Sequence, residues 1–384
     1  MKEKDGMEAG GAARAGRGFA ANMTRRGFLS AAGLGLTGLV LGLSGCGGSG
    51  AAGSASANGS AADAGSATSS QKAEHDDPVQ VRVASLKGPT SIGLVSFMNK
   101  AKQDASAYRN TYDFQISASA DEILPQLIKG DVDVALIPAN AASVVYNKTK
   151  GAVTCLNVNT LGVLSVVTGD GAVTTFDALA DHTVYLNGKG ATPEYVMNYL
   201  LSCTGLADKV TLEFKSEATE VVSVLAADPT AVGVLPQPFA TAATVKNKQL
   251  HMVVDLTDVW NKVQDASDSA GKPSQLVTGV TVVRNAFLEE HRDAVREFLL
   301  AQKDSVKTAN ADPAAAAQLV VDAGIIDSAA VAEQAIPACH LVCLTDDELK
   351  DALSGYLQVL HNADPASVGG TLPAEDFYYQ AIGG

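Results

Sequence analysis

Two glycine-rich segments carry most of the binding chemistry that this sequence offers. Lys87-Gly88-Pro89-Thr90-Ser91 and Gly188-Lys189-Gly190-Ala191-Thr192-Pro193 combine glycines, which let a backbone approach a ligand closely, with hydroxyls and one lysine each. Thr192 suits a helix cap and Pro193 a first helical turn, so the second segment reads as a loop opening a helix. At such a place free N–H groups can seat a carboxylate, sulfonate, phosphate or carbonyl oxygen. An ordinary strand-to-helix turn has the same composition, and each loop carries both readings. Lys87 and Lys189 are placed either to pair with an anionic ligand or to lie solvated beside a turn. Asn140 and Ser143 follow Ile137-Pro138 and can hydrogen-bond a polar group or cap a helix. Ser119 has the same two options, with Asp121-Glu122 resembling a charged first turn. Gln237, in a Pro-Gln-Pro loop, and Thr160, before Leu161-Gly162, complete the candidates.

No catalytic set accompanies them. The histidines are scattered, and neither Gly-x-Ser-x-Gly nor His-Glu-x-x-His occurs, so no catalytic residue is assigned. Cys339-His340-Leu341-Val342-Cys343 has metal-binding residue types, but its spacing fits no standard zinc pattern. On a strand His340 would point away from both cysteines. The expectation is therefore no metal and no cofactor, with Cys155, Cys203, Cys339 and Cys343 either free or paired in one of three ways.

The loops need rigid elements to face each other. From Val79 onward, short β-branched runs alternate with helical periods, the pattern of α/β layers. Strands are expected at 79–84, 112–117, 132–137, 164–168, 183–186, 210–214, 231–235, 251–254 and 277–283. After Val283 long amphipathic helices take over, at 286–310, 314–323 and 346–360. A chain that builds one α/β unit, then a second, and ends in helices returns to the first. Lobe one is expected at 78–168 plus 279–384 and lobe two at 169–278, with a hinge near Val167 to Gly169 and Val277 to Gly279.

The first 77 residues are of another kind. Arg25-Arg26 precedes an uncharged apolar run ending at Leu43-Ser44-Gly45-Cys46, which reads as a twin-arginine export signal with a lipobox over residues 1–45. An uncleaved membrane anchor is the other reading of that run. Residues 46–77 then form a lipidated Cys46 and a Gly/Ala/Ser tether too poor in apolar groups to fold. In either reading most of the chain lies outside the cytoplasm, held at the outer face of the cytoplasmic membrane. The 384 residues carry a net charge of −14, which excludes nucleic acid as a natural partner.

Four segments resemble the substrate-binding components of ABC importers, in the group that includes nitrate, sulfonate, taurine and thiamine-precursor binders. They are Ser85 to Gly93, Ile128 to Asn140, Leu186 to Tyr195, and Leu235 to Phe239. Val368-Gly369-Gly370-Thr371-Leu372-Pro373 to Tyr378-Tyr379 resembles the ending of one subgroup. The resemblance implies an α/β, two-lobed periplasmic-binding-protein-like fold of type II, with two parallel or mixed sheets, flanking helices and a two-strand hinge. It implies a lipid-anchored monomer that captures a small polar or anionic solute for a membrane permease. The group often has Glu where this chain has Gln237, which weakens a cationic ligand. Two alternatives share the scaffold: a pyrimidine-synthase-like enzyme with pyridoxal phosphate on Lys87 or Lys189, and a receptor that signals or scavenges without transport.

Overall fold

The computed structural model describes residues 77–266 and 274–381. The segments expected to form an export signal and a tether, with Cys46 between them, lie outside the described residues. No described helix is long and apolar enough to cross a membrane.

The chain starts with β1 (Gln80–Leu86), α1 (Pro89–Ile92), α2 (Val95–Gln103), β2 (Thr111–Ser117), α3 (Ala120–Lys129), β3 (Val134–Pro138), α4 (Ala139–Thr149) and β4 (Val153–Leu161). It continues through β5 (Leu164–Thr168), β6 (Thr183–Asn187), α5 (Thr192–Cys203), β7 (Thr211–Lys215), α6 (Ala218–Ala227), β8 (Val232–Pro236), α7 (Phe239–Lys246), β9 (His251–Asp255) and α8 (Leu256–Ala266). Then come β10 (Val277–Arg284), α9 (Asn285–Glu290), α10 (Arg292–Ala311), α11 (Pro313–Asp322), α12 (Ala329–Ala335), β11 (Leu341–Leu344) and α13 (Asp346–Ala363).

These strands form two mixed sheets, ordered β11-β4-β10-β3-β1-β2 and β7-β6-β8-β5-β9. Each has three parallel strands followed by one antiparallel strand that arrives from the other sheet's part of the chain. In the first sheet β1 runs parallel to β2 and β3, and β10 antiparallel to β3. In the second β6 runs parallel to β7 and β8, and β5 antiparallel to β8. This is the two-lobed α/β architecture with two crossing segments. The central strands β3 and β5 are buried at every position, which is why they read as unbroken apolar runs; edge strand β2 alternates.

The chain leaves the first sheet between Leu161 and Leu164, so β5 pairs in the second sheet rather than closing the first. Strands β4 and β11 are additions to the sequence reading. The final helices also reach further than the first sheet. Helix α13 places Leu349, Leu353, Tyr356, Leu357 and Leu360 along one buried stripe, in a core shared with Val196, Leu200 and Trp260 of the second unit. Its first turn carries Asp346, Asp347 and Glu348, which suit the positive end of the helix. Helix α12 packs against α7.

Candidate functional site

A cavity of about 100 Å³ lies where the two sheets face each other. It sits beyond the carboxyl ends of β1, β3, β6 and β8, reached by Leu86, Pro138, Asn187 and Pro236, with Leu164 and Thr278 at the starts of the two crossing strands. Three of those four strands, β1, β6 and β8, run into a helix whose first turn contributes to the wall, while β3 contributes its last residue, Pro138. Pro89 and Thr90 come from α1, Thr192 and Pro193 from α5, and Phe239 from α7, while Ala218 and Thr219 begin α6 after the edge strand β7. Proline at these junctions needs no N–H partner and fits a helix start.

Both glycine loops reach the cavity, through Lys87 and Thr90 from one side and Gly188, Ala191 and Thr192 from the other. Gly88, at the N-cap of α1, has φ 138°, and Gly188 and Gly190 have φ 84° and 73°, values that favour glycine. The hydroxyls are largely spent inside the protein. Thr90 Oγ1 and Ser91 Oγ both donate to Leu86 O at 2.7 Å, and Ser91 Oγ also meets Ser85 Oγ at 2.6 Å. Ala191, not Thr192, occupies the N-cap of α5; Thr192 is the first helical residue and sends its hydroxyl to Thr278 O at 3.4 Å.

The remaining sequence candidates stand outside the cavity wall. Lys189 is exposed and its Nζ lies 5.9 Å from the centre of the Phe214 ring. Gly190 donates its N–H to the Glu194 carboxylate and offers its carbonyl to Asn140 Nδ2 at 3.3 Å. Asn140 also donates to Ser367 O at 3.2 Å, and Ser143 Oγ to Val368 O at 2.8 Å, so this pair pins the C-terminal segment to α4. Ser119 caps α3, its Oγ accepting from Asp121 N at 3.1 Å. Thr160 donates to Asn159 Oδ1 at 2.9 Å within β4. Gln237 Oε1 accepts from Thr241 Oγ1 at 2.8 Å and braces the first turn of α7.

The wall is more apolar than the sequence reading expects. Leu86, Pro89, Ala118, Pro138, Leu164, Pro193, Ala218, Pro236 and Phe239 join it, along with the polar Asn187, Glu217, Thr219 and Thr278. The repeated strand-end proline is the signal that marks this set. Lys87 is the one cation among the lining residues, and no arginine is among them. A wider groove of about 1210 Å³ runs between α2 and α10 on the outer side of the first sheet. Its central acid, Glu297, already accepts from Arg109 N, Asn110 N, Asn110 Nδ2 and the Tyr112 hydroxyl, which makes it a brace.

The comparisons with solved structures match this architecture. A protein of Parabacteroides distasonis described as an ABC transporter shares 24% identity and a TM-score of 0.64 over 79% of this chain and 99% of its own. The periplasmic aliphatic sulphonate binding protein SsuA of Escherichia coli gives 11% identity and 0.60 over 80% and 97%. The alkanesulfonate-binding protein SsuA of Xanthomonas axonopodis pv. citri, bound to MOPS, gives 14% and 0.58 over 79% and 97%. The chain has the fold of ABC-importer solute-binding proteins. No protein-family model and no curated protein matches the sequence.

In this solute-binding fold the Cys-His-x-x-Cys stretch has a different place from the cavity. Cys339 is buried in the core beside α11 and α12, where burial pushes its thiol up. Burial also pushes Cys343 up to about 11, with Lys303 opposing. His340 has φ 43° and contacts Gly162 O through Nδ1 at 2.5 Å. The four described cysteines are free.

Proposed function

We infer that the protein captures a small solute between its two lobes and hands it to the membrane permease of an ABC importer. The carrying observation is the cavity between the sheets, at the strand ends where both glycine loops meet, in a fold shared with importer binding proteins. The parts of the chain built around the first and the second sheet act as the two lobes, the first crossing running through Gly162, earlier than the Val167 to Gly169 expected from the sequence, and the second leading into β10 at Val277. The work is differential affinity: a solute held by both lobes favours the closed arrangement, and the permease reads closure. No bond is made or broken. Twin-arginine export and lipidation of Cys46 complete the proposal by holding the monomer outside the cell membrane, the tether giving it reach.

The test is mass spectrometry of the purified protein under native and denaturing conditions. The expected result is a reproducible small-molecule mass lost on denaturation, with smaller radius of gyration in the loaded state. No retained mass, together with no thermal shift from small anions, amino acids or pyrimidines, would count against solute capture.

A further inference from the structure

Among the described residues, six side-chain polar atoms are buried with no hydrogen-bond partner, and four of them surround one loop. Folded proteins seldom leave such atoms unpaired, so four at one place ask what completes them. Asn187 Oδ1 and Thr278 Oγ1 belong to residues that line the cavity. Asn140 Oδ1 stands behind them on a fully buried residue whose Nδ2 holds the carbonyl of Gly190 in the same loop. The Tyr356 hydroxyl, on another fully buried residue, lies beside Thr192 without a hydrogen bond of ordinary geometry.

The character of these four atoms is uniform. Two are amide oxygens that accept, and two are hydroxyls that can donate. None carries a charge at neutral pH. The wall carries one cation, Lys87, and one acid, Glu217, so a carboxylate or sulfonate seated against these four atoms would be a buried charge with no net counter-charge on the wall, which is the costly case. Helix N-termini at the wall would ordinarily offset that, but at two of them, those of α5 and α6 on the second sheet's side, the chain has supplied its own acids. Glu194 takes the N–H of Gly190 before α5, Glu220 takes that of Ser216 at 3.0 Å before α6, and Glu217 is the N-cap of α6. An incoming anion would meet those carboxylates.

Resting on the solute-capture reading, we propose that the site takes an uncharged solute with a compact apolar body and a neutral edge bearing both donors and acceptors, as in a primary amide, lactam or urea. Its N–H groups pair with Asn187 Oδ1, and its carbonyl accepts from Thr278. Asn140 and Tyr356 complete their bonds to the same edge or to a water that enters with it. The aliphatic wall of Leu86, Leu164, Pro138 and Pro236 covers the body.

The experiment uses the full chain in detergent and isosteric pairs: benzamide with benzoate, and butyramide with butyrate. Binding is followed by titration calorimetry and thermal denaturation at low and high salt. The expected result is that at least one uncharged member binds about tenfold or more tightly than its charged partner, a preference that salt leaves in place. Thr278→Val and Tyr356→Phe should each weaken that probe by roughly tenfold while leaving the ligand-free Tm equal or higher, because an unpaired buried hydroxyl is removed. A merely structural role would lower the ligand-free Tm and leave the amide-to-carboxylate ratio unchanged. Preferential binding of the charged members, weakening as salt rises, would overturn the uncharged class and leave solute capture standing. Absence of binding by every member of both series, with no retained mass in the native spectrum, would remove both.

Discussion

Asp133 is 1% exposed and holds three strands of the first sheet together. Arg82 reaches it twice from β1, through Nε at 2.8 Å and Nη2 at 2.6 Å, and Arg284 at the end of β10 through Nη2 at 2.8 Å. Burial by itself would raise this carboxyl, but the hydrogen bonds from Arg82 and Arg284 outweigh it and hold it below the usual carboxylate range. A depressed carboxyl contributes stability that is fully present above the unfolded value, near pH 4, and is lost as pH falls through the folded one. Asp133→Asn should therefore cost about 2–3 kcal/mol at pH 7, less than a fully buried pair because both arginines keep contact with water. Urea denaturation should show the gap between wild type and variant closing below about pH 4, and a gap that stays constant with pH would refute the linkage. In the sequence this aspartate belongs to a strand that resembles a pocket element, yet its chemistry is spent on the scaffold. Ser119 was legible as a cap because its partner Asp121 is two residues away. Asn140 and Ser143 were not legible as anchors, because Ser367 and Val368 come more than two hundred residues later.

At the level of elements, the crossing from β4 to β5 is held by a residue from the far end of the chain. His340 takes the Leu161 N–H on its own carbonyl at 3.2 Å and contacts Gly162 O with its ring, so one residue grips consecutive peptides of the crossing. Gly162 has no room for a side chain, since a Cβ there would lie 2.3 Å from Thr257 Oγ1. The left-handed backbone of His340 is one that asparagine tolerates well. His340→Ala should speed hydrogen exchange at the amides of Gly162 to Leu164 by about tenfold or more, and His340→Asn should restore much of the protection. Equal exchange in all three proteins would show that neither the side chain nor the left-handed turn at His340 holds the crossing. The partner strands explain what the sequence concealed. β4 carries Asn157 and Asn159 inside a buried strand, where Asn157 pairs with Gln302 at 2.8 Å and Asn159 with Thr281 at 3.1 Å. Those polar residues break the apolar run that identifies β3 and β5, and β11 is too short to show a pattern. The cavity was half legible for a related reason: glycine loops mark it locally, whereas Asn187, Thr278 and Phe239 enter the wall only once the sheets face each other.

On the scale of the whole molecule, the two sheets are not separate bodies joined only by crossing strands. Trp260, the single tryptophan, is fully buried on α8 and donates Nε1–H to Ser274 O at 2.8 Å. Its ring lies 5.0 Å from Tyr199 on α5 and 5.6 Å from Tyr356 on α13. Because α13 also packs on α4, β4 and β10, this aromatic row ties the first sheet's helices to those of the second through one continuous core. Relative movement of the lobes must then be a small rotation that keeps the row in contact, since wide opening would expose aromatic surface to water. Unfolding should accordingly be cooperative across both sheets, with Trp260 fluorescence and far-ultraviolet circular dichroism following one urea transition. Tyr356→Ala empties the middle of the row at a cost of about 3–5 kcal/mol. It should uncouple the halves as well, so that fluorescence reports an earlier midpoint than circular dichroism and acrylamide quenches Trp260 more strongly. Tyr356→Phe keeps the ring and should keep the two transitions coincident. Coincident transitions in the alanine variant would mean that the crossing strands alone carry the coupling, and the row would then be packing without a mechanical role.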